Sequence, residues 1–222
     1  AAVGVVFLTL VATNRTLRER GWYKGKREPN LLGWLDLVAL GTVADVVPLK
    51  GLNRAYVRKG LIALGSRECL GLSALADAAR LGEAPDTYHL GFLLGPRINA
   101  GGRIGDAGLG VRLLLSSDAD EATAIAAQLD QLNRERQEIE AAIVAEAVAM
   151  VEADPAADGR AVTLVHSEED WHPGVVGLVA ARLKERFAKP AIAIAIGPGG
   201  SGTGSARSIP GVDMGAAVRA AV

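Results

Sequence analysis

Residues 161–196 read AVTLVHSEEDWHPGVVGLVAARLKERFAKPAIAIAI, and their pattern decides the fold class. Ala161 to His166 is a short β-branched and apolar run. Ala191 to Ile196 alternates alanine with isoleucine. Both read as strands. Between them Pro173 opens a stretch that runs to about Phe187, and proline suits a first helical turn because that position needs no N–H partner. Strand, helix and strand in close order predict a β-α-β unit. A glycine-rich tip, Gly197 to Gly204, follows, and Ser205 to Ile209 is expected to be one more strand.

Upstream the texture is helical. Asp154-Pro155-Ala156-Ala157-Asp158-Gly159 is a break, and before it no Gly or Pro interrupts the chain back to Asp118. Asp118 with Glu121 forms a capping pair. Ile125, Leu129, Leu132, Ile139, Ile143 and Val151 keep a helical stripe. Such a helix would be ~50 Å long at about 1.5 Å per residue, which suits a connector between two bodies. Residues 1–20 are expected to form an apolar core element ending at Arg15, Arg18 and Arg20 before Gly21. Gly21 to Asn30 is a polar, basic loop. Leu31 to Leu40 has one-sided helical spacing, whereas Gly41 to Leu49 looks too β-branched for a helix. Asn53 can cap a helix to about Leu64, and shorter helices are expected near 73–80 and 87–94. Gly95 to Arg103 has four glycines or prolines in nine positions and is expected to be irregular. Asp106 can cap a short helix to Leu115. The boundary between bodies is expected near 154–160.

Composition narrows the function classes. Half the chain is hydrophobic, 22% is charged and the net charge is −1, so no global field attracts a polyanion and any nucleic-acid contact must come from a few placed cations. The single cysteine, Cys69, excludes an internal disulfide framework and fits a reducing cytosol. Ala1 to Thr13 lacks a basic leader, and Thr9 and Asn14 interrupt its apolar run, so it reads as a core element and not a membrane anchor. The absence of an initiating Met suggests a cut end. No GxxxxGK[ST] loop is present, which argues against a nucleotide-driven motor.

Four segments carry candidate chemistry. Asp45 sits in an apolar run, where a carboxylate withdrawn from water needs a cation, a metal or several N–H donors. It either ligates a metal or accepts backbone bonds before Pro48. Asp36 is a weaker candidate that fits an exposed helix face. In Arg97-Ile98-Asn99-Ala100-Gly101-Gly102-Arg103, guanidinium forks and glycine-flanked N–H groups suit a phosphate. The alternative is a loop whose arginines pair with Asp106 or a glutamate. His172, just before Pro173, lies where a helix N-terminus favours an anion, though a lone histidine at a cap is more often structural. Ser205-Ala206-Arg207-Ser208 places two hydroxyls and an arginine at a sheet edge. His89 and His166 have no metal-like partner at a useful spacing.

These segments, in this order, resemble the RecJ family of the DHH phosphoesterase superfamily. Leu35 to Leu49 looks like its fourth DHH-domain motif, Gly95 to Arg103 is similar to its GPR-N-A-GR signature, and Leu129-Asp130, Leu132-Asn133 and Glu135-Arg136-Gln137 match its linking helix. Trp171 to Gly177 and Gly204 to Ile209 look like the start of the DHH-associated domain. The resemblance implies an internal fragment. Residues 1–117 would be the mainly helical C-terminal part of a DHH domain, 118–153 a long connecting helix, and 160–222 the N-terminal part of a partial α/β DHH-associated domain. It implies a cytoplasmic, processive 5′→3′ exonuclease on single-stranded DNA, using Mn²⁺ or Mg²⁺ in recombination and repair. A helicase or single-strand-binding protein is a possible partner, and no membrane is involved. Asp45 matches the family's metal-binding, catalytic Asp. Arg97, Asn99, Arg103, His172, Ser205, Arg207 and Ser208 would hold substrate phosphates along an interdomain groove.

The family's earlier motifs, including the Asp-His-His that names the superfamily, are expected before Ala1, and a glycine-glycine-histidine motif after Val222. One carboxylate cannot hold two metals, so the chain alone is expected to be catalytically inert. Two enzymatic alternatives in the superfamily are a nanoRNase and a cyclic-dinucleotide phosphodiesterase. Outside enzymes, the chain could be a nucleic-acid-binding module or a structural adaptor.

Overall fold

A computed structural model describes residues 1–167 and 171–221. The chain divides into two compact units, Ala1–Asn133 and Arg134–Val222.

The first unit is helical. It comprises α1 (Ala2–Glu19), a 3₁₀ turn at Leu31–Trp34, α2 (Leu35–Ala44), α3 (Gly51–Ser66), α4 (Leu70–Ala78), a π-helical segment His89–Leu94, α5 (Gly95–Ile104), α6 (Gly108–Leu115) and the start of α7 (Ala119–Ala153). Its core gathers Leu40, Leu64, Leu75, Leu90, Leu94, Leu113 and Leu129. Contact between α2 and α3 depends on Gly60, where a Cβ would lie 2.1 Å from the Leu35 carbonyl oxygen and 2.5 Å from the Ala39 Cβ. Only a hydrogen in that place lets the two backbones meet.

Several expectations change here. Gly41 to Ala44 continue α2, because the Thr42 hydroxyl donates to the Val38 carbonyl at 2.6 Å and burial outweighs β-branched propensity. Helix α2 then stops at Val46, whose φ of 54° is left-handed. Asn53 does not cap α3; it lies inside the helix and its side chain donates back to the Pro48 carbonyl. Most consequentially, Gly95 to Arg103 is helical. Pro96 stands in the first turn, where its missing N–H costs nothing. The glycines serve packing: a Cβ on Gly95 would meet the Leu90 carbonyl at 2.9 Å, and one on Gly101 the Asp106 carbonyl at 2.9 Å. Helix α1 is also less of a core element than its composition suggests. Gly4, Phe7 and Asn14 are buried, whereas Val5, Val6, Leu8, Leu10 and Val11 are exposed. Asn14 instead holds the basic loop, taking the Tyr23 hydroxyl and donating to Glu28.

Other signals match the structure. Asp106 accepts the Gly108 N–H at the start of α6, and Asp118 accepts the N–H groups of Asp120 and Glu121.

The second unit holds the rest of α7, then β1 (Thr163–Ser167), α8 (Val176–Phe187), β2 (Ala191–Ile196), β3 (Gly202–Arg207) and α9 (Met214–Ala221). The sheet order is β1-β2-β3. β1 and β2 run parallel with His166 opposite Ile194, and β3 returns antiparallel with Ser205 opposite Ala193. The parallel pair joined through α8 is the expected β-α-β unit. Ala191, Ala193 and Ala195 are buried, and Val179, Ala180 and Leu183 of α8 are buried with them. Alanines on that face allow the helix to sit close to the sheet. Helix α8 begins at Val176 because residues 173–175 form a turn, in which the Val175 N–H donates to the His172 carbonyl. Strand β3 starts earlier than expected, at Gly202, and ends at Arg207. Among the described residues, no helix is long and apolar enough to cross a membrane.

Candidate functional site

In the first unit, Asp45 closes α2. Its N–H donates to the Gly41 carbonyl and its side chain is exposed, which corrects the expectation of a carboxylate withdrawn from water. The last turn of α2 carries no basic residue, so the helix itself offers this carboxylate, at its negative end, no compensating charge. The buried carboxylate is Asp36, only 2% exposed, which reverses the ranking of the two. Burial pushes the Asp36 carboxyl up. The Leu37 N–H counters this in part, and the nearby Glu68 adds to the rise. Asp36 lines a cavity of about 890 Å³ together with Trp34, Glu68, Cys69 and Leu115.

Arg97 lies near the start of α5. That region is packed against the end of α2, with the Gly95 Cβ position 3.3 Å from the Ala44 Cβ. Thus Asp45 and Arg97 are one and two residues, respectively, from a direct contact between their helices. Arg97 does not pair with Asp106 or a nearby glutamate. Its Nε donates to Asp130 at 2.8 Å and its Nη1 to the Leu93 carbonyl at 2.8 Å. Nη2 takes part in neither bond. With side-chain exposures of 14% and 11%, the Arg97–Asp130 pair is largely withdrawn from water. It therefore fixes the guanidinium far more firmly than a surface pair would. Asn99 is exposed and Arg103 half-buried on the same helix. In the sequence Asp130 stands out only as part of a helix. Its role as the Arg97 partner, 33 residues away, has no short-range signal.

The second unit assembles a tighter cluster. Ser205 and Arg207 share a sheet face, since they lie opposite Ala193 and Ala191. Arg207 Nη1 donates to the Ser205 Oγ at 2.8 Å and to the Ala206 carbonyl at 2.9 Å. Both side chains lie against the first turn of α8. A Cβ on Gly177 would come within 2.9 Å of Arg207 Nη2 and 3.2 Å of Ser205 Oγ. A guanidinium and a hydroxyl thus lie against the first turn of a helix, whose N-terminal end favours an anion, a setting suited to an oxyanion of phosphate. In the sequence Gly177 is only the end of a motif; in the fold its lack of a side chain makes room for the arginine.

His172 is half-buried, and its Nδ1 accepts the Gly174 N–H at 3.1 Å. In the neutral ring the N–H is therefore on Nε2. Trp171, buried beside it, donates its indole N–H to Glu146 of α7 at 2.9 Å. Ser208 is exposed, and its Oγ accepts the Met214 N–H where α9 begins. Among the described residues, no group of three or more His, Cys, Asp or Glu side chains could hold a metal ion.

A model of the DHHA1 domain matches residues 158–222. The single-stranded-DNA-specific exonuclease RecJ of Dickeya dadantii is 45% identical over 221 residues, 96% of this chain and 38% of the relative. Nearly the whole of this chain is similar to RecJ. Crystal structures of RecJ from Thermus thermophilus, in complex with Mn²⁺ and with Mg²⁺, match at TM-scores of 0.76 and 0.77 and identities of 37% and 38%. Each match covers 92% of this chain, but 29% and 30% of the Thermus chain. This chain therefore spans less than half the length of these relatives.

Proposed function

We propose that this chain is the part of a 5′→3′ single-strand-specific DNA exonuclease that grips the substrate backbone and supplies one metal-ligating carboxylate. The observation that carries the reading is the meeting of Ser205, Arg207 and the Gly177 turn at the start of α8. It is a ready oxyanion seat in a chain whose relatives are named single-stranded-DNA-specific exonucleases. Arg97, held by Asp130, is the second backbone contact, with Asn99 and Arg103 along the same helix and His172 Nε2 and Ser208 as further donors. These groups bind and orient a strand. Proximity of this kind, and not acid–base chemistry, is what they can contribute to hydrolysis.

Asp45 fits a divalent cation as one oxygen ligand. It is exposed, it lies at the negative end of α2, and an incoming cation would offset that field. It is a single ligand, so no complete Mn²⁺ or Mg²⁺ site is assigned to this chain. When bound in a complete site, such metals supply the activated water for phosphodiester hydrolysis. The chain alone is accordingly expected to bind but not to degrade. Its setting would be DNA repair and recombination in the cytosol, with a helicase or single-strand-binding protein as partner.

The test is fluorescence anisotropy of a labelled, 5′-phosphorylated single strand at several salt concentrations. Arg207→Ala and Arg97→Ala should each weaken binding and lower the salt slope by about one. Binding equal to wild type in both variants would overturn the reading. Release of mononucleotides by the chain with Mn²⁺ would overturn the assignment of a single metal ligand.

A further inference from the structure

Tyr88 and Phe92 are exposed and stacked on each other, with ring centroids 5.0 Å apart and planes at 26°. Their exposures are 56% and 69%, high for large rings in a chain that is only 4% aromatic. The helix phase imposes this. The segment His89–Leu94 runs directly into α5, and Leu90 and Leu94 occupy the inward face with no exposure at all. The start of the segment is also pinned, because buried His89 donates its backbone N–H to the Asp86 carboxylate and its Nδ1 accepts the Asp86 N–H, both at 3.1 Å. The rings are therefore presented outward from a fixed base.

We propose that Tyr88 and Phe92 form a stacking shelf for unpaired bases of the strand whose backbone Arg97 contacts. The inference rests on the function proposed above and extends it from phosphate to base. Residues 87–105 contain Arg97 and Arg103 but no Asp or Glu, so the stretch suits a polyanion better than an acidic or neutral protein surface. The Leu93 carbonyl, next to Phe92, accepts the Arg97 guanidinium, which ties shelf and cation to one turn. The exposed Asn99 lies seven residues beyond Phe92 on this helical run, about 10 Å along its axis. A strand lying along the run would present its phosphates to α5 and its bases to the rings. Stacking on an aromatic face is sequence-tolerant, because every base has a π-surface.

The test uses the full 222-residue chain and 5′-phosphorylated oligothymidylates carrying 2-aminopurine, or an abasic site, at successive positions. Fluorescence quenching on binding should be confined to one or two adjacent positions, and an abasic site there should weaken binding about tenfold. Phe92→Ala and Phe92→Leu should lose both the quenching and the abasic penalty, while Phe92→Tyr should keep them. Leucine preserves apolar bulk without a π-face, so normal quenching and affinity in Phe92→Leu would overturn stacking and favour a protein-docking surface. If Arg97→Ala weakens binding while all Phe92 and Tyr88 variants bind within about twofold of wild type, the shelf fails and the proposed function stands. If the chain binds no single strand at all, both fail. Circular dichroism of each variant verifies the fold, and an exposed ring should leave it unchanged.

Discussion

Replacing Gly177 with alanine should separate folding from binding. Gly177 is the second residue of α8 and has an ordinary negative-φ backbone, so alanine fits the helix and should add ~0.5–1 kcal/mol of helical stability. The new methyl would lie 2.9 Å from Arg207 Nη2 and 3.2 Å from Ser205 Oγ. Ordinary contact requires the guanidinium to withdraw by roughly half an ångström. Arg207 is exposed and ends a flexible side chain, so the withdrawal costs little stability. It does, however, break the 2.8 Å bond to Ser205 and turn the fork away from the helix N-terminus. Loss of a charge-assisted hydrogen bond is worth ~1.5–3 kcal/mol, or about 10- to 150-fold in affinity. Melting temperature should therefore stay level or rise, while anisotropy shows weaker binding of a 5′-phosphorylated strand. Combining Gly177→Ala with Arg207→Ala should add little to either loss. Wild-type affinity in Gly177→Ala, or full additivity in the double variant, would refute a shared oxyanion seat.

Three further outcomes follow from the first unit. Asp130→Ala leaves Arg97 largely buried without its partner and should cost ~3 kcal/mol in urea denaturation, whereas Arg97→Met with Asp130→Leu should recover most of it. Gly60→Ala forces a Cβ to 2.1 Å from the Leu35 carbonyl oxygen; since backbone must move, destabilisation should reach ~3 kcal/mol by the same measurement. Asp36→Asn should stabilise the chain near neutral pH. The Asp36 carboxyl is raised above its ordinary value of 3.8 in the fold, so the folded state binds its proton more tightly than the unfolded chain does. Stability from this group falls as pH rises through that region and stays low above the folded value. The advantage of Asn should thus appear above about pH 4 and vanish below it, read from urea midpoints of both proteins across pH.

In the second unit the order strand, helix, strand was legible, because alternation in Ala191–Ile196 and the placement of Pro173 are local signals, whereas the bounds of β3 and the helix α9 were not. The first unit misled where glycine and β-branched residues pack against neighbours. Gly95 and Gly101 look like loop residues until Leu90, Ala44 and Asp106 are placed beside them. Thr42 and Val43 look extended until burial and the Val38 carbonyl are considered. At the site, Arg97 and Arg207 were legible as cations, but Asp130 and the space above Gly177 depend on contacts between distant parts of the chain. The reversal of Asp36 and Asp45 has the same cause. Apolar neighbours in sequence do not reveal which side of a helix meets the core, and here Asp36 turns inward while Asp45 ends a helix in water.

Val46 gives that last turn an unusual mechanical character. A β-branched residue at a φ of 54° holds ~1–2 kcal/mol of conformational tension, immediately after the carboxylate expected to meet a cation. The turn keeps that conformation because the Val46 N–H donates to the Val43 carbonyl at 2.9 Å and the Val47 N–H to the Thr42 carbonyl at 3.2 Å, bonds that a return to negative φ would break. The end of α2 is thus set by bonding against preference, and the direction in which Asp45 leaves its helix is fixed by backbone contacts, not by the ease of the residue that follows it.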